Sequence, residues 1–403
     1  LIQYAWYGDK YVTLTLPGEW IVYQLKMRGH DRCSLSPQQI KAKLRNPINS
    51  KPLRKLAERA EEVVILFDDL TRPTKVYKII PHVIEELKRG GVKDDHIRLI
   101  VASGAHGVFT REELAKKVGE KTIEQYPVFN HNPYDCLEYL GETSYGTPVY
   151  INGEAASCDL KIGIGSILPY SARFGRFSGG SKIILPGISG AETIIHNHGK
   201  LRSESGILRK DADEAAKMAK LNFKIDMLIN IRRNPTDLFA GDFIEEWRIG
   251  ASKAEMHYAT SCPSSVDIVI ANVYSRSLQP ETVLWTEHLL RKGGDLVIVT
   301  MNPRGPCPHY LSGKWGVRGW EGKLWRFARQ EEKADRIIIY TKYPSADLID
   351  RIASRDRDQV FCLKKWKEVL EELKNKHGDR AKVAVFADAS IQHPIGEYID
   401  RIR

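Results

Sequence analysis

Residues 62–74 read EVVILFDDLTRPT and residues 96–110 read HIRLIVASGAHGVFT, and these two stretches decide the fold. Each opens with an apolar run too short for a helix and too continuous for a half-exposed strand, the pattern of a parallel strand buried on both faces. Each then breaks into a polar loop, and a helical stretch follows, from Lys75 to the Gly90-Gly91 pair in one case and REELAKKVG from Arg111 in the other. The unit is βαβα, with both loops at the carboxyl ends of adjacent strands, the edge where open α/β sheets bind ligands.

Working outward, Ser36-Pro37 reads as an N-cap followed by proline at the first helical position, and Pro52 to Glu61 reads as a second helix. Tyr11 to Leu16 alternates as a strand. CDLKIGIGSI, KIDMLINIR and SVDIVIANV are further buried strands. After the last of these the alternation is regular: a helix over 280–291, a strand over 295–300, a helix near 319–331, a strand over 336–340, a helix over 345–354 and the strand in AKVAVFADA. The expectation is an α/β protein of two doubly wound domains, with the active site in the cleft between them. The boundary is placed at SCPSS, where the pattern breaks, giving a cofactor-binding domain over 1–264 and a Rossmann-like domain over 265–403.

Composition excludes other classes. The 403 residues are 42% hydrophobic and 28% charged, the balance of a folded enzyme rather than a disordered chain. The 11 uncharged residues 162–172 fall far short of the ~20 that a membrane-spanning helix needs. The amino terminus mixes charge with alternating apolar residues and does not read as a secretory signal, so a cytoplasmic address is expected. Six scattered cysteines with no CxxC pair suggest neither a zinc knuckle nor a disulfide framework. The net charge of +10 is spread in mixed runs, so nucleic acid is not the expected partner, and a basic cleft for an anionic ligand is the milder reading.

The segment GRFSGGSK (175–182) looks at first like a Walker A loop, but Ser181 and Lys182 stand in the reverse of that order. What remains is the physics of Ser178, Gly179 and Gly180, small residues whose backbone N–H groups can approach an anion, with the Lys182 amine beside them. A tight turn with an exposed lysine is the bland alternative. His106 is displayed at the sheet edge just after a strand, where a near-neutral pKa suits general base work. Arg72 can hold a carboxylate or phosphate with two parallel hydrogen bonds. His196 and His198 cannot be told apart as ligands on spacing alone.

The constellation DDLTRPT (68–74), GAHGVFT (104–110), FNHN (129–132), FSGGSKIILPGISGAETIIHNH (177–198) and LFAGD (238–242), in this order, resembles the nickel-dependent lactate racemase family. The resemblance implies an isomerase that inverts C2 of a 2-hydroxy acid by hydride transfer to and from a nickel-pincer nucleotide, a pyridinium mononucleotide holding the metal through two sulfurs and a ring carbon. It implies that Lys182 is the covalent tether and that His198, sixteen residues on, is the nickel ligand, a donor set that suits square-planar nickel. It also implies that His106 takes the proton of the 2-hydroxyl, that Arg72 faces the substrate, and that Asp69 and Thr71 line the nucleotide. The enzymes that make the nucleotide become expected partners.

The chain departs from the family's pattern in three places. The family's GxHR is Gly104-Ala105-His106-Gly107, without the arginine. The family's second histidine, which follows a proline ten residues before the lysine, is absent, and Tyr170, after Pro169, or Arg173 could stand in for it. The family's glutamine and lysine, three residues apart, become Gln279 and Thr282. Losing a cation and an arginine disfavours a three-carbon acid, so a larger 2-hydroxy acid such as a sugar acid is expected. Trp315, Trp320 and Trp325 could help build its site or simply pack. A binding or carrier protein for a pincer-type nucleotide or another phosphate ligand is the alternative. A nicotinamide dehydrogenase ranks last, because no GxGxxG follows a strand at either domain start.

Overall fold

The run Val63–Asp68 lies near the middle of a six-stranded sheet because every residue but the last is buried. A computed structural model describes residues 1–5, 8–169, 175–199, 201, 206–311, 333–353 and 357–395. In space the strands of this sheet run Pro235–Gly241, Leu221–Ile229, Leu160–Ser166, Val63–Asp68, Ile97–Ala102, Val128–Asn130. All neighbours pair in parallel except Pro235–Gly241, which returns antiparallel along Leu221–Ile229. From Val63–Asp68 the chain steps outward through Ile97–Ala102 to Val128–Asn130. It then returns to the other side, where Leu160–Ser166 pairs with Val63–Asp68. The reversal makes a topological switch point between these two strands, the place where such sheets bind ligands.

A second six-stranded sheet is wholly parallel, in the order Val360–Leu363, Ala334–Tyr340, Leu290–Val299, Val266–Asn272, Lys382–Phe386, Ile21–Leu25. Within it Val269, Ala271, Leu296 and Ile298 enter one apolar cluster, while Ile268, Ile270, Val297 and Val299 enter another. Successive side chains point to opposite faces, and both faces are covered. Mixed α/β architecture with parallel sheets is what the pattern of buried runs led us to expect.

The domain boundary differs from the sequence reading. Among the described residues the chain divides into one compact unit of 31–256 with 308–311 and another of 1–30, 257–307 and 333–395. A single cut near 264 fails because Ile21–Leu25 is the edge strand beside Lys382–Phe386, so the amino-terminal segment belongs to the carboxy-terminal sheet.

Smaller expectations also shift. The strand over Tyr11–Leu16 is really Gly8–Tyr11 paired with Ile2–Ala5. Val12, Leu14 and Leu16 do turn inward, onto the Trp20 cluster, but without a ladder partner. The helix over 280–291 is a 3-10 stretch, Pro280–Leu289, that passes directly into the strand Leu290–Val299. The helix near 319–331, the three tryptophans, Tyr170 and Arg173 lie outside the described residues. Among the described residues no helix is long and apolar enough to cross a membrane.

Candidate active site

The carboxyl ends of Val63–Asp68, Ile97–Ala102 and Leu160–Ser166 open into a pocket of about 530 Å³, counting its mouth. Asp69, Arg72, His106, Ser178, Gly179 and Lys182 all line it, so six residues singled out in the sequence come together. Every lining residue belongs to the larger unit.

His106 is set by its loop. Gly104 takes φ +55°, and a Cβ there would lie 3.0 Å from the Pro186 carbonyl oxygen, so glycine lets the loop pass close to the chain beyond Lys182. Asn130 clasps Phe109 at both its N–H (3.0 Å) and its carbonyl (2.9 Å), fixing the far end of the same loop. The Nδ1 of His106 stands 2.5 Å from Asp69 Oδ2. The other oxygen of Asp69 accepts from the Thr71 N–H at 2.9 Å and from its hydroxyl at 2.5 Å. Burial pushes Asp69 upward, but the charge and hydrogen bond of His106, with Arg72 and the Thr71 hydroxyl, outweigh it and hold the carboxyl well below the usual range. Asp69 therefore stays ionised and keeps the His106 proton on Nδ1, which leaves Nε2 as an acceptor in the neutral ring. Thr71 is buried behind Asp69 and does not line the pocket.

Arg72 donates from Nη1 to Thr71 Oγ1 at 2.8 Å. Beneath it Lys117, which sequence reasoning missed, reaches the carbonyls of Asp69 (2.9 Å) and Arg72 (3.0 Å) and lies 2.7 Å from Asp68 Oδ1. A buried ammonium thus ties down the whole DDLTR turn. Burial drives Lys117 down and Asp68 up, and each partly restores the other's charge.

The lysine loop is held with similar care. Gly179 and Gly180 take φ +92° and +60°, and the Gly180 N–H donates to Asp226 Oδ2 at 2.6 Å. Asp226 also accepts from the buried Lys224 at 2.5 Å. Arg209 stacks on Trp247 at 4.1 Å and donates to the carbonyls of Phe177 (2.9 Å) and Gly179 (2.8 Å). Ser178 Oγ accepts from the Leu168 N–H at 3.0 Å and donates to the Ser166 carbonyl at 2.9 Å. Lys182 is left on a short turn, Gly180–Ile183, facing the pocket. Lys224 and Asp226, absent from the sequence reading, carried one signal: two charges at i and i+2 inside an otherwise apolar run. Glycines at 163 and 165 on the neighbouring strand make room for them, since Cβ atoms there would come within 2.7 Å of Lys224 and 3.0 Å of Asp226.

His198 is buried on the helix Ala191–Gly199 and is not among the pocket-lining residues. His196, on the same helix, bonds through Nδ1 to Thr147 Oγ1 at 2.8 Å. His131 holds the Ser189 carbonyl at 2.9 Å, in the segment between Lys182 and that helix. Gln279 stands in the other unit, where its side-chain oxygen accepts from Arg276 at 2.5 Å. Among the described residues no three His, Cys, Asp or Glu side chains gather as a metal site, so a metal on His198 would take its other donors from a bound group.

The chain is similar to known proteins in both sequence and fold. Residues 7–207 match the family described as the lactate racemase N-terminal domain. Lactate racemase of Thermoanaerobacterium thermosaccharolyticum is 30% identical over 282 residues, which are 66% of this chain and 65% of that protein. Lactate racemase of Lactiplantibacillus plantarum is 35% identical over 231 residues, 54% of this chain and 53% of that protein. The chain thus spans between about half and just under two thirds of these relatives' own length. In fold, it superposes on the lactate racemase apoprotein of T. thermosaccharolyticum with a TM-score of 0.71 at 22% identity, covering 98% of this chain and 99% of that one. A Thermotoga maritima protein of known structure superposes with a TM-score of 0.63 at 16% identity, covering 90% and 99%. Through its amino-terminal half, the chain belongs to the lactate racemase family.

Proposed function

We propose that this protein is an isomerase that inverts C2 of a 2-hydroxy acid larger than lactate, a sugar acid being the best candidate, with a nickel-pincer nucleotide tethered to Lys182 and His198 as nickel ligand. The observation that carries the reading is the convergence of His106 backed by Asp69, Arg72 and Lys182 on one pocket at the switch point of the sheet. The residues fit such a group. Gly104, Gly165, Gly179 and Gly187 all line the pocket and present bare backbone to it, the places their Cβ atoms would need being taken by Pro186, Asp226 and Ile183. It needs from the protein one amine, as the tether, and one imidazole, as the metal's fourth donor, the other donors being its own. When bound, the nucleotide supplies the nickel and the ring that accepts the C2 hydrogen as hydride and returns it.

The chain's own residues do the rest. His106 Nε2 takes the proton of the 2-hydroxyl, and Asp69 stabilises the imidazolium so formed while keeping the ring in place. Arg72 offers its guanidinium to the substrate carboxylate. Gly107 supports the larger substrate: a Cβ there would already lie 3.3 Å from Pro308, so no side chain reaches into the pocket from this position to clamp a small acid.

The test is intact-mass spectrometry and nickel analysis of protein co-expressed with the enzymes that make the nucleotide. Wild-type protein should carry a nucleotide-sized adduct on Lys182 and bind nickel, and Lys182→Ala should lose both. Turnover in deuterated water should invert C2 with little solvent deuterium incorporated there. An adduct on another lysine, or stoichiometric deuteration at C2, would overturn the reading, and a loaded protein without turnover would be a carrier.

A further inference from the structure

Two imidazoles from distant parts of the chain lie against each other: the rings of His106 and His309 have centroids 5.3 Å apart and planes at 76°. Backbone fixes the pair. The two residues form an isolated antiparallel bridge, in which the Gly107 N–H donates to the Pro308 carbonyl at 2.9 Å and the Tyr310 N–H donates to the Ala105 carbonyl at 2.7 Å. Tyr310 also packs on Tyr134, with centroids 5.9 Å apart. The segment 308–311 therefore lies directly against the His106 loop, next to the residues that line the pocket rather than among them, although it stands some two hundred residues further along the chain.

The ring nitrogens of the two residues are in opposite states. His106 Nδ1 faces the Asp69 carboxylate at 2.5 Å and carries the proton, so Nε2 is an acceptor. His309 Nδ1 accepts from the Leu311 N–H at 3.2 Å, so its neutral ring carries the proton on Nε2, which is a donor. For His309 to serve as a base at Nε2, its proton would have to move to Nδ1 and meet the Leu311 N–H, donor against donor. The ring is built to donate rather than to take a proton.

An acceptor and a donor side by side complement a ligand with a hydroxyl and an anionic oxygen on neighbouring carbons. We propose that His309 is a substrate-recognition residue, donating from Nε2 to a carboxylate oxygen of the 2-hydroxy acid whose hydroxyl donates to Nε2 of His106. This rests on the reading of the pocket as a 2-hydroxy acid site. It gives the carboxylate a second anchor besides Arg72 without adding a charge. The assigned step breaks no bond: both protons are shared in hydrogen bonds before His106 takes the hydroxyl proton.

The test uses cofactor-free and cofactor-loaded protein with four probes: 2-hydroxybutyrate, a six-carbon aldonate, and the amides of both acids, in which the carboxylate becomes neutral. Titrations of cofactor-free protein labelled with ¹⁵N at histidine should shift the His309 resonances when an acid is added. His309→Phe should weaken the acids by roughly 10- to 100-fold, the worth of one hydrogen bond to a charged group, and leave the amides within about twofold. His309→Gln, whose amide can still donate, should recover much of the loss. In the loaded enzyme His309→Phe should raise KM more than it lowers kcat, whereas His106→Gln should abolish kcat. Equal losses for acids and amides would mean packing alone and overturn the proposal, as would wild-type affinity for the acids in His309→Phe or no acid binding by wild-type protein. If the loaded protein binds acids through His309 but does not invert them, recognition stands and the isomerase reading falls.

Discussion

The two side-chain oxygens of Asp69 divide the work of the site between them. One is taken up by Thr71, which fixes the turn, and the other is left to His106 alone. In Asp69→Asn the carbonyl oxygen can keep Thr71, but an amide N–H then faces His106 and the ring proton moves to Nε2, where a base needs a lone pair. We expect kcat to fall by roughly 10³- to 10⁴-fold with nearly unchanged substrate affinity; a loss confined to KM would remove Asp69 from this role. His131 gives a pH prediction. Burial, only partly opposed by the Ser189 carbonyl it holds, pushes its pKa down to about 4 from the usual 6.5. A lowered histidine pKa means that the unfolded chain takes up the proton first, so this stability is complete above pH ~6.5 and drains as pH falls toward ~4, by roughly 3 kcal/mol in all. Denaturant titrations from pH 7 to 4 should show that His131→Gln flattens this part of the profile, and an unchanged slope would mean that other groups set it. His106, Arg72 and Lys182 could be named from the sequence because loops at strand ends display chemistry. His309 could not, because only the folded chain brings the segment 308–311 against Ala105 and Gly107.

At the scale of elements, the loops do their work through what lies beneath them. The Gly179–Gly180 turn looks like a flexible phosphate loop in the sequence, yet its N–H, its carbonyls and its neighbours are pinned by Asp226, Arg209 and Trp247. A Cβ on Gly179 would sit 2.6 Å from Asp226 Oδ2, at a φ of +92° that alanine resists. Gly179→Ala should therefore displace Lys182 rather than merely stiffen its loop. We expect slow or absent adduct formation at Lys182 and a loss of stability of about 1–3 kcal/mol, read by mass spectrometry and thermal unfolding of the same preparation. Full adduct formation at the wild-type rate would show that the turn tolerates the change. The strands of the sheet were legible because burial on both faces leaves a continuous apolar run, as in Val63–Asp68 and Leu160–Ser166. The 3-10 stretch Pro280–Leu289 was not, because its apolar spacing imitates an α-helix and only the hydrogen bonds tell the two apart.

At the scale of the whole molecule, the sequence pattern carried the class of fold but not the way the chain is shared between its two units. Periodicity is local, whereas Ile21–Leu25 finds its partner some 360 residues away, at Lys382–Phe386. Nothing in the alternation of a single strand names its neighbour. Trp20 secures that long-range pairing: it is 5% exposed, packs with Ile268, Val297 and Val383, and donates from Nε1 to the Gly378 carbonyl at 2.9 Å. Trp20→Ala should cost about 3–5 kcal/mol, because a large cavity opens between the amino-terminal segment and the second sheet. If the units are separate cooperative bodies, that cost falls on one of them. Native-state hydrogen exchange should then show amides of Lys382–Phe386 and Val266–Asn272 losing protection in the variant, while those of Val63–Asp68 and Ile97–Ala102, under the His106 pocket, keep theirs. Equal loss in both sheets would mean that the protein unfolds as one body, and the amino-terminal strand would then contribute to the stability of the pocket as well.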